Sequence, residues 1–177
     1  IKLVAHRQNS PDTELYSQHE IYVDESTYTA QYPQGWQTIN IPVNSVYTTL
    51  YDLFGDYNML YTLDPNGSWT QTEEVVANHA YLLYLDQAQE KQWPSTVPAG
   101  SYTYQMQQGW NLVPNPYPRS ISSANLSFVS GNESHSYPEM IALEILAGGI
   151  VVLREKATRT VWEIRPGEAF LMQVLED

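Results

Sequence analysis

Apolar and aromatic residues come in short runs along this chain, separated by clusters of Pro, Asn, Asp and Gly. Runs such as Met59-Leu60-Tyr61-Thr62-Leu63 and Ala80-Tyr81-Leu82-Leu83-Tyr84-Leu85 carry the aromatic and branched side chains that suit a half-buried strand. Asp64-Pro65-Asn66-Gly67 between two such runs is a tight-turn signal, because Pro presets φ and Asn and Gly tolerate positive φ. The pattern predicts a mainly β fold. Two short helices are expected in the connections. Ser45 could cap one running through Leu50 and Leu53 to Gly55, and Ser136 with Glu139 forms a capping box ahead of Met140 to Leu146.

The pattern also repeats. Tyr28-Thr29-Ala30-Gln31-Tyr32-Pro33-Gln34-Gly35-Trp36 recurs as Tyr102-Thr103-Tyr104-Gln105-Met106-Gln107-Gln108-Gly109-Trp110, with six of nine positions identical at an offset of 74. The same offset pairs Pro42 with Pro116. Both copies close on an Ala-aromatic-Leu strand, Ala80-Tyr81-Leu82 and Ala169-Phe170-Leu171, and Trp69 and Trp162 read as matching positions in the strand before it. Such self-similarity marks a duplicated structural unit. The chain divides into residues 1–24, two strands completing a sheet; 25–95, the first repeat; and 96–177, the second. The short Pro- and Gly-containing stretch Lys91 to Gly100 joins the repeats. It is too short for freely moving domains, so the copies are expected to pack together about a pseudo-twofold axis as a two-repeat β-sandwich with a shared interior.

Composition narrows the function. The 20 Asp and Glu against 8 Lys and Arg leave a net charge of −12, which disfavours nucleic acid and anionic lipid as partners. The absence of cysteine removes disulfides and thiolate chemistry. The longest apolar stretch, Met140 to Leu153, has 14 residues and contains Glu144, too short and too charged to span a bilayer. The chain begins at Ile1 without a signal-like segment, so that terminus reads as processed or excised.

No motif for hydrolysis, phosphate binding or dinucleotide binding is present, and His6, His19, His79 and His135 share no ligand-like spacing. Neither a metal nor a cofactor is expected. Glu73, Glu74, Glu139, Glu144, Glu163 and Glu168 could supply a glycosidase-like carboxylate pair, but nothing in the sequence pairs them. The aromatic content points elsewhere. A partly exposed ring offers a flat face to a sugar, and neighbouring polar groups fix its orientation. Trp93, placed in the connection, and Tyr117, held between Pro116 and Pro118, are the first candidate contacts, followed by Trp69 and Trp162. Gly35, Trp36, Pro42, Gly109, Trp110 and Pro116 repeat, and repeated apolar positions ordinarily pack or anchor strands.

Gly109-Trp110-Asn111-Leu112-Val113-Pro114-Asn115-Pro116-Tyr117-Pro118 resembles the GWNL(I/V)xNPYP signature of β-rich repeat units in large secreted proteins of Bacteroidetes-like anaerobic bacteria. The first copy, which lacks the Asn-Pro-Tyr-Pro ending, is a degenerate version. The resemblance implies export and a modular parent protein, and it supplies no catalytic residues. The expectation is therefore a secreted or cell-surface, non-catalytic module that binds polysaccharide or a cell-surface glycan. A self-assembling subunit of a surface layer, filament or adhesin is the alternative, and a hydrolase with an unrecognised site is the third reading.

Overall fold

The computed structural model describes residues 2–5, 19–22, 27–42, 45–64, 66–94, 102–130, 133–154 and 157–175. In chain order the strands are β1 (Lys2–Ala5), β2 (His19–Tyr22), β3 (Thr27–Tyr32), β4 (Gly35–Asn40), β5 (Met59–Leu63), β6 (Trp69–Thr72), β7 (Ala80–Leu85), β8 (Gln89–Pro94), β9 (Gly109–Pro114), β10 (Ile121–Ser122), β11 (Ser127–Ser130), β12 (Glu133–Ser136), β13 (Val151–Arg154), β14 (Ala157–Thr160), β15 (Glu163–Ile164) and β16 (Ala169–Val174). Helix α1 (Leu50–Phe54) and helix α2 (Tyr137–Ala142) lie in the two connections. The fold is mainly β and sandwich-like, with antiparallel sheets throughout. β1 and β2 pair with each other, and residues 6–18 between them lie outside the described residues.

Each half is built on a four-stranded sheet of the same topology. The first runs β4-β7-β5-β6 and the second β9-β16-β13-β14. Registers match as well: Gly35 faces Leu85 and Asn40 faces Ala80, while Gly109 faces Val174 and Pro114 faces Ala169. Gly35 and Gly109 take φ of 100° and 97°, a region open to glycine, which explains why both copies need this residue before Trp. Gln37 and Asn111, at matching positions, each donate a side-chain amide to the carbonyl four residues back, Pro33 and Gln107. The copies depart in the hairpin. Leu63 faces Trp69, whereas the matching Leu153 faces Thr158, so Trp69 and Trp162 are not equivalent. Trp162 falls on the bend between β14 and β15.

The local signals work as the residues dictate, with two shifts. Asp64, Asn66 and Gly67 form the β5–β6 turn, Gly67 N donating to Asp64 O (2.8 Å) and Ser68 N to Asn66 Oδ1 (3.0 Å). Glu139 Oε2 accepts from Ser136 N at 2.6 Å and caps α2, which stops at Ala142 rather than reaching Leu146. Helix α1 is capped by Thr49, whose Oγ1 accepts from Asp52 N, and not by Ser45, whose Oγ accepts from Tyr47 N.

Most buried apolar residues fall in two clusters, one per half. The first packs Ile39, Leu60, Leu83 and Leu85 of its sheet against α1 and the β3–β8 pair. The second packs Val113, Val152, Phe170 and Met172 against α2 and neighbouring chain. A small third cluster, Ala80, Leu112 and Ala169 with Leu63 and Leu171, lies between the halves. Strand contacts across this junction are reciprocal: β4 meets β13 and β16, and the matching β9 meets β5 and β7. The junction is thus lined by matching strands of the two copies. Polar links reinforce it. Asn40 N donates to Gly167 O (2.8 Å), its Nδ2 to Asn115 O (2.7 Å), and Leu153 N to Thr38 Oγ1 (3.2 Å). No helix among the described residues is long and apolar enough to cross a membrane.

Candidate functional site

Four aromatics were singled out from the sequence, and the structure separates them. Trp93 is only 2 % exposed; it lies on β8 rather than in a free connection, packs in the first core and donates Nε1–H to Tyr32 Oη at 3.0 Å. Pairing of β8 with β3 places it opposite Tyr28 and turns its ring inward, which removes it from any ligand surface. Tyr117 is half-buried. Its hydroxyl accepts from Tyr102 N (3.0 Å), its own N–H donates to Asn115 Oδ1 (3.1 Å), and Arg119 lies over its ring. Asn115 also donates to the carbonyls of Arg119 and Arg165, so Asn-Pro-Tyr-Pro works as a local clamp. Trp162 is widely exposed on its bend, and Trp69 is 37 % exposed on β6.

The repeated tryptophans were expected to be structural. Trp36 is half-buried and packs its ring on Tyr84 and Tyr61, with centroids 5.2 and 5.7 Å away. Trp110 differs: 39 % of it is exposed, and its ring lies over the β5–β6 turn, where a Cβ on Gly67 would come within 3.4 Å of Trp110 Cδ1. Pro42 and Pro116 each stand two residues beyond Asn40 and Pro114, the last residues of β4 and β9.

Trp110 forms one wall of a cleft of about 200 Å³ where the halves meet. Tyr104, Gln105 and Gln107 come from the segment before β9, Leu63 and His79 from the first half, and Ala80 and Leu112 form the floor. The chemistry is mixed: two part-exposed rings, an imidazole and three amides, of which Asn111 is committed to the carbonyls of Gln107 and Gly109. Neither Gln105 nor Gln107 has a side-chain hydrogen-bond partner among the described residues, so both amides are open to a ligand. Burial, with the Tyr102 phenol beside it, pushes the Tyr104 hydroxyl above its ordinary range and keeps it a donor. Burial also lowers His79, so the imidazole is neutral at pH 7; its ring packs on Tyr81 with centroids 5.0 Å apart. The cleft continues onto an aromatic face. Register puts Trp36, Tyr84, Tyr61, Leu63 and Trp69 on one side of the first four-stranded sheet, and Leu63 lines the cleft.

The carboxylates considered for acid–base chemistry are occupied elsewhere or scattered. Glu168 is gripped by Arg154, Nε to Oε1 at 2.7 Å and Nη2 to Oε2 at 2.6 Å, and also accepts from Arg165 N. Glu139 caps α2, and its bonds from Ser136 hold its carboxyl below the usual carboxylate range. Among the described residues no three His, Asp or Glu side chains converge on a metal-sized site; His135 lies 3.6 Å from Glu133, and His6 is outside the described residues.

Trp110 and Tyr104 escaped the sequence analysis because duplication of Gly-Trp read as a packing requirement. The signal that distinguishes them is a difference between the copies: Tyr104 stands where the first copy has Ala30, so the second copy alone adds a large ring at that place. Compared with known proteins, the chain matches no family model, no curated protein and no solved structure.

Proposed function

We propose that this chain is an extracellular, non-catalytic recognition module that holds polysaccharide for a larger secreted enzyme or surface protein. The observation that carries the reading is the junction cleft, where Trp110 and Tyr104 offer part-exposed rings beside the unpaired amides of Gln105 and Gln107. A sugar ring stacks its C–H face on an indole, and amides and a phenol satisfy its hydroxyls in both donor and acceptor roles. Neutral His79 supplies one donor and one acceptor without a charge to desolvate. The aromatic face through Trp69, Tyr61, Tyr84 and Trp36 gives a longer chain further places to lie. The resemblance of the Asn115-Pro116-Tyr117-Pro118 region to secreted repeat units supports the extracellular setting. Each contact of this kind is weak, so retention comes from several modules acting together.

Affinity electrophoresis against a panel of soluble polysaccharides tests the proposal. The wild-type chain is retarded by at least one glycan, Trp110→Ala loses most of the retardation, and Trp162→Ala, on a bend outside the cleft lining, keeps it. Absence of retardation on every glycan, with concentration-dependent polymers in light scattering, would replace it by the self-assembling subunit. Release of sugars from the panel would replace it by an enzyme.

A further inference from the structure

The duplicated nonapeptide folds in two ways. In the first copy its opening residues form β3, paired antiparallel with β8 from Thr27 opposite Pro94 to Tyr32 opposite Gln89. In the second copy the matching residues 102–107 belong to no strand. They nevertheless occupy the matching place. Ala30 lies against the Gly167 turn, and Tyr104, its counterpart, shares the cleft with His79 beside the corresponding turn at Asn78. Met106, the counterpart of Tyr32, packs on the second core.

What differs is the neighbour. Residues 102–107 are tied at their ends only: Tyr102 N donates to Tyr117 Oη (3.0 Å), Gln107 N to Asn111 Oδ1 (3.0 Å), and Asn111 Nδ2 to Gln107 O (2.7 Å). Between these ties, the backbone groups of residues 103–106 make no hydrogen bond among the described residues, and Thr103, Tyr104 and Gln105 are exposed. A segment with an open run of N–H and C=O groups, held in place at both ends, offers a place where another strand can pair.

We infer that residues 102–107 accept an added antiparallel strand, and the first copy specifies the chemistry of that strand. On β8, Trp93 stands opposite Tyr28, Gln92 opposite Thr29 and Glu90 opposite Gln31, whose amide donates to the Glu90 carboxylate. Tyr28, Thr29 and Gln31 recur unchanged as Tyr102, Thr103 and Gln105. The partner is therefore an extended strand reading carboxylate, any residue, polar, aromatic. It sets its aromatic residue against Tyr102 and its carboxylate against Gln105. Affinity comes from backbone ladder bonds, and selectivity from these two side chains. The inference shares Gln105 with the proposed glycan contact but leaves Tyr104 out of it: β8 pairs with β3 while Ala30 still faces the Gly167 turn, and an added strand leaves Tyr104 facing the cleft in the same way.

The test uses a labelled peptide with the sequence of residues 86–94, which contains the Glu90-to-Trp93 pattern, titrated into the intact chain. Binding is expected to saturate, and hydrogen exchange at the amides of 103–106 slows by about tenfold or more on binding. Trp93→Lys in the peptide weakens binding about tenfold, and Gln105→Ala in the protein, which removes the amide that meets the peptide's carboxylate, weakens it with near-ultraviolet circular dichroism unchanged. If that variant fails to fold, the peptide substitution decides alone. Three results would overturn the inference: no saturable binding, equal binding of a scrambled peptide, or binding that leaves exchange at 103–106 untouched.

Discussion

The indole Nε1 of Trp93 donates to the hydroxyl of Tyr32 at 3.0 Å, and this bond joins two strands that cover the first core. Both groups are almost wholly buried, and burial holds the Tyr32 phenol protonated, well above the ordinary range. Replacing the indole leaves both a cavity and an unsatisfied phenol. Trp93→Ala is expected to lower stability by about 3–5 kcal/mol, the range for truncating a buried aromatic residue. Trp110→Ala, at a part-exposed ring, is expected to cost about 1 kcal/mol or less. Urea melts of the two variants check the contrast. Equal losses would put Trp110 in the core as well.

Asn40 links the halves by two bonds, backbone N to Gly167 O and Nδ2 to Asn115 O, at a site only 1 % exposed. Asn40→Ala removes the side-chain bond and leaves the Asn115 carbonyl buried without that donor. The expected loss is about 1–3 kcal/mol, the cost of an orphaned buried polar group. Thermal unfolding measures it, and a separate early transition of one half would show that this bond couples the two.

Arg154 and Glu168 form a bidentate pair with side chains 16 % and 17 % exposed. Glu168 immediately precedes β16, where His79 precedes β7 in the other copy. Removing Arg154 leaves the Glu168 carboxylate the Arg165 N–H but no countercharge in a mostly buried site. Arg154→Met is expected to cost about 3 kcal/mol, whereas Arg154→Met with Glu168→Leu recovers most of it, since a packed apolar pair often replaces a buried ion pair without loss. A double-mutant cycle from denaturant melts reads this directly.

His79 gives the pH dependence. Burial lowers its pKa below the ordinary 6.5, so on acidification the unfolded chain takes up this proton before the folded chain does. The contribution is present in full above pH 6.5 and is lost as pH falls from there through the lowered folded value. Melting temperature should therefore decline as pH falls below about 6.5, and His79→Gln should flatten that part of the curve. A decline of unchanged steepness in the variant would assign it to other groups.

The repeated segments, the turn at Asp64 to Gly67, the cap of Glu139 on α2 and strands β4, β5, β7, β9, β13 and β16 were legible in the residues. Each depends on groups close together in the chain, or on a pattern repeated in it: a glycine at positive φ, a carboxylate three residues from its serine, a run of branched and aromatic side chains. Tyr28-Thr29-x-Gln31 and Tyr102-Thr103-x-Gln105 carry the same local information yet end as a strand and an unpaired segment, because β8 meets only the first. The same pairing buries Trp93, and packing of the β5–β6 turn against β9 leaves Trp110 at the edge of an open cleft. The amino-acid sequence alone determined which segments are copies and where their chain turns. Which rings face solvent was decided only by tertiary structure, because exposure depends on what a distant strand covers.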